Sequence, residues 1–249
     1  MYGLQPRVKT EWAPCGRREN VQDYYRVRTG QAVGDYWDAR RDPDGKLRDR
    51  TTPGERRQYL DDMADVIARV NSWQPQRVLD VGAGMGWLLQ SIDCEQRSAV
   101  EQSPVALERL ELHGVTCYRR LAAVASDSQD VVIAHHVIEH MPDPVCQVNH
   151  MRRVLRRGGR LVLGTPDFAS PCALRFGERY RMLHDPTHVS LFSLDGLLRM
   201  LRDLAWTIED VQFPFPDRYA TSDTMRRWLD KDGISPPWPG NWVLVYASR

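Results

Sequence analysis

The residues of this chain best suited to chemistry are a glycine-rich turn, an acidic residue one strand later and a set of histidines. Val78-Leu79-Asp80-Val81-Gly82-Ala83-Gly84-Met85-Gly86-Trp87-Leu88-Leu89 reads as a buried strand, a tight turn and the start of a helix. Gly82, Ala83, Gly84 and Gly86 let the backbone pass close to a ligand, and the helix that follows points its N-terminus toward it. A dinucleotide site wants G-x-G-x-x-G; here position 87 is Trp and the spacing is G-x-G-x-G, which favours a cofactor without a pyrophosphate. Glu101 stands 19 residues after Gly82. A carboxylate only accepts hydrogen bonds and can take both hydroxyls of a ribose; the plainer alternative is an exposed glutamate at a strand end. His135 and His136 precede Glu139-His140, and His184 and His188 follow in a later loop. An imidazole can accept a proton near neutral pH, so His136, His140 and His188 are the candidates for base catalysis. The structural alternatives are that His140 caps a turn, that His135 packs on a ligand and that the loop backbone satisfies His188.

The elements that must position these groups alternate in type. Strands are expected at 77–81, 97–101, 115–118, 130–135 and 160–164, with two more within 205–213 and 241–247. Such alternation is the pattern of parallel βαβ units. Tyr59, Leu60, Met63, Val66, Ile67 and Val70 recur at helical spacing. Ser103-Pro104, Asp143-Pro144 and Ser193 each open a helix with a capping residue. Gly158-Gly159 is expected to stop the second of these. Two excursions, at about 165–192 and 214–240, interrupt the domain, and connections of that length are usually functional. Residues 1–53 are polar and aromatic-rich, with Tyr24, Tyr25, Tyr36 and Trp37 interleaved among charges. They read as an irregular or short-helical extension, either a substrate lid or a docked segment, ahead of a domain over 54–249.

Composition narrows the class. At 42% hydrophobic and 27% charged residues, with a net charge of +1, the chain reads as an ordinary globular protein without a global field for nucleic acid or membrane. Five scattered cysteines without C-x-x-C spacing suggest neither a zinc site nor a disulfide framework, which suits a reducing, cytoplasmic setting. No signal peptide or membrane-spanning run is read. The arginines at 152, 153, 156, 157 and 160 lie toward a helix C-terminus, where cations favour the helix dipole.

Val78–Gly86, Val100-Glu101-Gln102-Ser103, Asp130-Val131-Val132-Ile133, Val137-Ile138-Glu139-His140-Met141 and Arg153–Leu163 stand in the order seen in class I S-adenosylmethionine-dependent methyltransferases. The resemblance covers about residues 55–211, and the final strand fits as well. Nearest in flavour are the ubiquinone-biosynthesis-type small-molecule O-methyltransferases, which carry a similar Val-Ile-Glu-His block. The resemblance implies an α/β fold: a Rossmann-like seven-stranded, mostly parallel sheet with helices on both faces, plus the N-terminal extension. It implies S-adenosyl-L-methionine as cofactor. Gly82, Ala83, Gly84 and Gly86 would lie along its methionine and ribose portions, Asp80 near its amino group, Gln102 beside the adenine and His135 against the cofactor. The acidic residue that relatives often place near the adenine amine is missing from Arg119-Arg120-Leu121-Ala122-Ala123, and a backbone carbonyl near Leu121 could replace it. Some relatives hold a divalent cation with two acidic residues and a histidine; here His136 replaces the first acid, leaving His136, Glu139 and His140, and no metal is expected.

Methyl transfer to a small-molecule hydroxyl, on a sugar, a phenol or a secondary metabolite, is the activity so implied, with histidine as general base. N- or C-methylation, an RNA methyltransferase and a non-catalytic methyltransferase-like binding protein are the alternatives. The partner expected is the acceptor itself, with neither nucleic acid nor membrane; a homodimer stays open.

Overall fold

The computed structural model describes residues 5–6, 24–27, 40–41, 47–48 and 52–249. Among the described residues four short strands come first, β1 (Gln5–Pro6), β2 (Tyr25–Val27), β3 (Arg40–Arg41) and β4 (Leu47–Arg48). These parts of the extension are therefore extended rather than irregular or helical; Cys15, Tyr36 and Trp37 lie outside the described residues. Next come α1 (Pro53–Asp62), α2 (Ala64–Ser72), β5 (Arg77–Val81), α3 (Trp87–Gln90), β6 (Gln96–Val100), α4 (Pro104–Leu112), β7 (Thr116–Tyr118) and β8 (Gln129–His135). They are followed by α5 (Pro144–Val154), β9 (Leu155–Pro166), α6 (Pro171–Phe176), β10 (Ser190–Phe192), α7 (Leu194–Asp203), β11 (Thr207–Gln212), α8 (Ser222–Leu229) and β12 (Trp242–Ser248).

Seven strands form one sheet in the order β11-β12-β9-β8-β5-β6-β7. The β5–β6, β5–β8 and β6–β7 pairs are parallel, with Val78 opposite Val131 and Asp80 opposite both Ala99 and Ile133. Strand order reverses between β5 and β8, the place where an open α/β sheet leaves room for a ligand at its carboxyl ends. This is the seven-stranded, mostly parallel, Rossmann-like fold the resemblance implied.

By packing, the chain forms two compact units. One comprises residues 33–135, 150–163 and 247–249. Its core is the sheet interior, where Val78, Leu79, Val132, Ile133, Leu161, Val162 and Leu163 are fully buried. Ser103 caps α4 as expected, its hydroxyl accepting from the Ala106 N–H. Asp130 fastens the sheet by accepting 2.8 Å bonds from the Gln76 and Arg77 N–H groups and pairing with Arg156. The glycine stop expected after α5 falls inside β9 instead. Gly158 adopts φ 72°, and a Cβ on Gly159 would stand 2.9 Å from the Arg156 carbonyl oxygen, so this pair bends a strand rather than ending a helix.

The other unit comprises residues 1–32, 136–149 and 164–246. Strands β1, β2 and β10 form a small antiparallel sheet in which Tyr25 lies opposite Phe192, their ring centres 5.0 Å apart. Cys172, Ala173, Phe176 and Tyr180 make a second core, flanked by Phe168, Trp228 and Trp238; the two tryptophans stack at 3.9 Å. The excursions at 165–192 and 214–240 thus supply a folded unit of helices and turns. Cys94, Cys117 and Cys172 are free thiols, but Cys146 is disulfide-bonded, which the scattered cysteines gave no reason to expect.

Candidate active site

The glycine turn is built as its spacing requires. Gly82, Gly84 and Gly86 adopt φ of 74°, 52° and 71°, the left-handed region that side chains disfavour. The Gly82 N–H donates to the Val100 carbonyl and the Gly86 N–H to that of Ala83. A Cβ on Gly86 would stand 2.6 Å from Leu110 Cδ2, so this glycine serves the packing of α4 against the turn.

Two carboxyls share this place. Glu101 is buried and accepts from three backbone N–H groups, Gly84 at 2.8 Å, Gln102 at 2.7 Å and Ser103 at 2.9 Å. Three of a carboxylate's roughly four acceptor positions are thereby used. Asp80 is 4% exposed, and no described residue hydrogen-bonds its carboxyl. Burial, and then the neighbouring Glu101, push it up to about 8. A buried, uncompensated acid beside a second acid favours a cationic ligand group, and S-adenosylmethionine carries an ammonium and a sulfonium. The cradle therefore fits that cofactor.

The Leu121 carbonyl accepts from Arg153 at 2.9 Å and from the Val124 N–H at 3.1 Å. Both its lone pairs are thereby used within the protein. Gln102 is exposed, and its carbonyl accepts from Arg119 at 3.0 Å. His135, half-buried, ends β8.

Directly after β8 the chain turns through His136, whose φ of 54° is rare for a residue with a side chain. Its N–H donates to the Gly164 carbonyl at 2.9 Å. Its Nδ1 lies 3.1 Å from Glu139 Oε1, while the side chain remains 32% exposed. Glu139 is fully buried and takes a second hydrogen bond from the Thr165 hydroxyl at 3.0 Å. Burial alone would raise its carboxyl. The His136 hydrogen bond and the imidazoles of His136, His140 and His188 outweigh burial and lower it to about 2.

His140 Nδ1 lies 3.2 Å from the Thr187 carbonyl oxygen, and its ring sits 4.9 Å from that of His188. His188 is 3% exposed, its Nδ1 is 2.7 Å from the Met182 carbonyl oxygen, and its Nε2 is 3.7 Å from Asp185. Burial pushes it down to about 4 against the pull of Glu139 and Asp185, so it is neutral at pH 7. His184 stands apart, bonded to the Glu178 carbonyl.

The structure thus brings His136, Glu139, His140 and His188 together. Among the described residues, Glu139, His140 and His188 also present ligand atoms within 4.8 Å of one another, a grouping able to hold a cation. His188, rather than His136, is its third member. Thr165 and Asp185 were missed from the sequence. The signal for Thr165 was a single hydroxyl after the apolar run Leu161-Val162-Leu163; Asp185, two residues before Thr187, whose N–H it accepts, had no signal beyond its loop.

A methyltransferase-domain family model matches residues 54–211, and the chain belongs to that family. Among its relatives is a ubiquinone biosynthesis O-methyltransferase of Xanthomonas oryzae pv. oryzae, 35% identical over 154 residues, covering 54% of this chain and 64% of the relative. The chain thus spans just under two thirds of that protein's length. Among solved structures, a chain from the complex of the Haloferax volcanii Trm112 methyltransferase activator with a methyltransferase superposes with a TM-score of 0.58 at 14% identity, covering 78% of this chain and 92% of the other. The [4+2]-cyclase SpnF superposes with a TM-score of 0.56 at 17% identity, covering 77% and 81%. These likenesses carry the fold; a cyclase among them shows that the fold alone does not choose the reaction.

Proposed function

We propose that this protein transfers a methyl group from S-adenosylmethionine to a hydroxyl of a small-molecule acceptor, with His136 as general base. The observation that carries the reading is the Glu139–His136 pair: a fully buried carboxylate holding one ring nitrogen of a partly exposed histidine. S-adenosylmethionine, when bound, supplies a methyl group on a sulfonium. Gly82, Ala83 and Gly84 bring backbone close to it, Asp80 faces its ammonium, and Glu101 orients a ribose hydroxyl. Transfer to a hydroxyl must release a proton. Glu139, bonded to Nδ1, sets the His136 tautomer in which Nε2 takes the proton, and it stabilises the imidazolium that forms. His188, neutral and bonded to Met182, orients His140 and the loop. Acceptor oxygen is further supported by the relative's name, which is an O-methyltransferase.

The test is incubation with methyl-labelled S-adenosylmethionine and a metabolite extract, followed by identification of the labelled product. His136→Gln should lower turnover by about 10²- to 10⁴-fold while cofactor affinity by calorimetry holds. Equal turnover in His136→Gln and wild type sinks the base assignment.

A second reading has its own observation. Glu139, His140 and His188 are spaced for a cation, and each histidine turns its Nδ1 toward a backbone carbonyl, the outer contact common among metal-binding imidazoles. On that reading a transition metal would activate the acceptor hydroxyl. Metal content of the purified protein and turnover after chelation decide between the two. The base reading expects turnover to survive chelation; loss restored by one divalent metal selects the second.

A further inference from the structure

We infer that Thr165 is a positioning residue for His136, acting through Glu139; the inference rests on the base reading above. The two last internal residues of β9 hold both members of the dyad. The Gly164 carbonyl accepts the His136 N–H at 2.9 Å, and the Thr165 hydroxyl donates to Glu139 Oε2 at 3.0 Å. Glu139 Oε1 is left for His136 Nδ1 at 3.1 Å. Each carboxylate oxygen thus has its own side-chain partner, which fixes the plane of the carboxylate and so the direction in which it holds the imidazole. The need for such fixing is local. His136 sits at φ 54°, a conformation that persists only where its surroundings over-determine it. Glu139 and Thr165 are both 0% exposed, so water cannot substitute for the hydroxyl if it is removed. Thr165 does not touch an acceptor; its contribution is the geometry it imposes on Glu139, in the way an orienting group sets the tautomer and angle of a catalytic histidine.

The test compares Thr165→Val, which keeps the shape and removes the hydroxyl, with Thr165→Ser, which keeps the hydroxyl. Tritium transfer from labelled S-adenosylmethionine to a metabolite extract should fall about ten- to a hundredfold in Thr165→Val, the range for losing a hydrogen bond to a charged group. Thr165→Ser should stay within about threefold of wild type, and cofactor affinity should hold in both. In a Glu139→Gln background, Thr165→Val should add little, because the two act on one target. The His136 ring N–H resonance, identified by its disappearance in His136→Gln, should shift or broaden in Thr165→Val and remain in Thr165→Ser. An unchanged resonance with wild-type transfer in Thr165→Val overturns the inference, as does equal loss in Val and Ser. If instead His136→Gln transfers normally, the base reading fails, and the resonance alone still decides whether Thr165 sets the His136 geometry.

Discussion

Asp80 and Glu101 stand side by side in the same turn, both buried, and differ in what surrounds each carboxyl. Glu101 is bonded by three N–H groups; Asp80 by no described residue. The consequence for stability has a definite sign. A carboxyl whose folded pKa is raised, here from the ordinary 3.8 to about 8, contributes stability below its unfolded value that is lost as pH rises through the folded one. Asp80→Asn should therefore stabilise the cofactor-free protein at pH 8 by about 1 to 3 kcal/mol, with little gain at pH 4, measured by urea unfolding. The same variant should weaken S-adenosylmethionine binding; tighter binding would remove Asp80 from the ammonium. Glu139 runs the other way. Its folded pKa is lowered to about 2, so its contribution is complete above the ordinary value of 4.5 and is lost as pH falls through about 2. Glu139→Gln should flatten that acid-side loss, and an unaltered acid profile would mean that Glu139 is not held as an anion. The shifts are opposite because Asp80 is buried beside another acid, whereas Glu139 is buried among imidazoles.

At the scale of elements, β2 shows how the extension is fixed. Its register against β10 puts Tyr25 on Phe192, and Tyr24 donates its hydroxyl to Asp203 at 2.7 Å. A Cβ on Gly196, in the first turn of α7, would stand 2.2 Å from the Tyr24 carbonyl oxygen. Gly196→Ala should thus cost about 1 to 3 kcal/mol by urea unfolding, as overpacking does. Gly54→Ala, with nothing within 4 Å of the added methyl, should change stability by less than 1 kcal/mol in either direction. Similar costs at both sites would show that the Tyr24 contact does not exist in solution. The contact also marks where reading the sequence reached its limit. Strands β5 and β8 were legible because each carries an apolar run, β6 and β7, which read Gln-Arg-Ser-Ala-Val and Thr-Cys-Tyr, only because strands and helices alternate, and Ser103 and Ser193 were legible as caps because their reach to the N–H three residues on is local. The β2–β10 pairing joins residues about 165 positions apart and carries no local signal. The Gly158-Gly159 pair misled for a related reason: glycine marks a backbone conformation, and a bent strand and a helix stop ask for the same one.

Across the whole molecule, charge bears on which acceptor fits. The net charge is +1, so any nucleic-acid surface would have to be a local cluster, and the arginines at 152, 153, 156, 157 and 160 are one such cluster in the sequence. The fold has spent three of these internally. Arg153 bonds Ser126 and the Leu121 carbonyl, Arg156 pairs with Asp130, and Arg160 lies over the Trp73 ring at 4.9 Å. Against the expected helix end, only Arg152 and Arg153 stand in the last turn of α5; Arg156, Arg157 and Arg160 lie in β9, and Arg153, Arg156 and Arg160 brace the sheet unit. Cation side chains already bonded to carbonyls and carboxylates are poor phosphate ligands, which supports the small acceptor proposed above. The expected result is a rate of label transfer to the metabolite acceptor that changes by less than about twofold between 50 and 200 mM salt. A protein making 6 to 10 phosphate contacts would lose about 10³- to 10⁵-fold in affinity over that range. Label appearing in the RNA fraction, with transfer falling steeply across the same salt series, would reject the small-molecule acceptor while leaving the cofactor cradle as described.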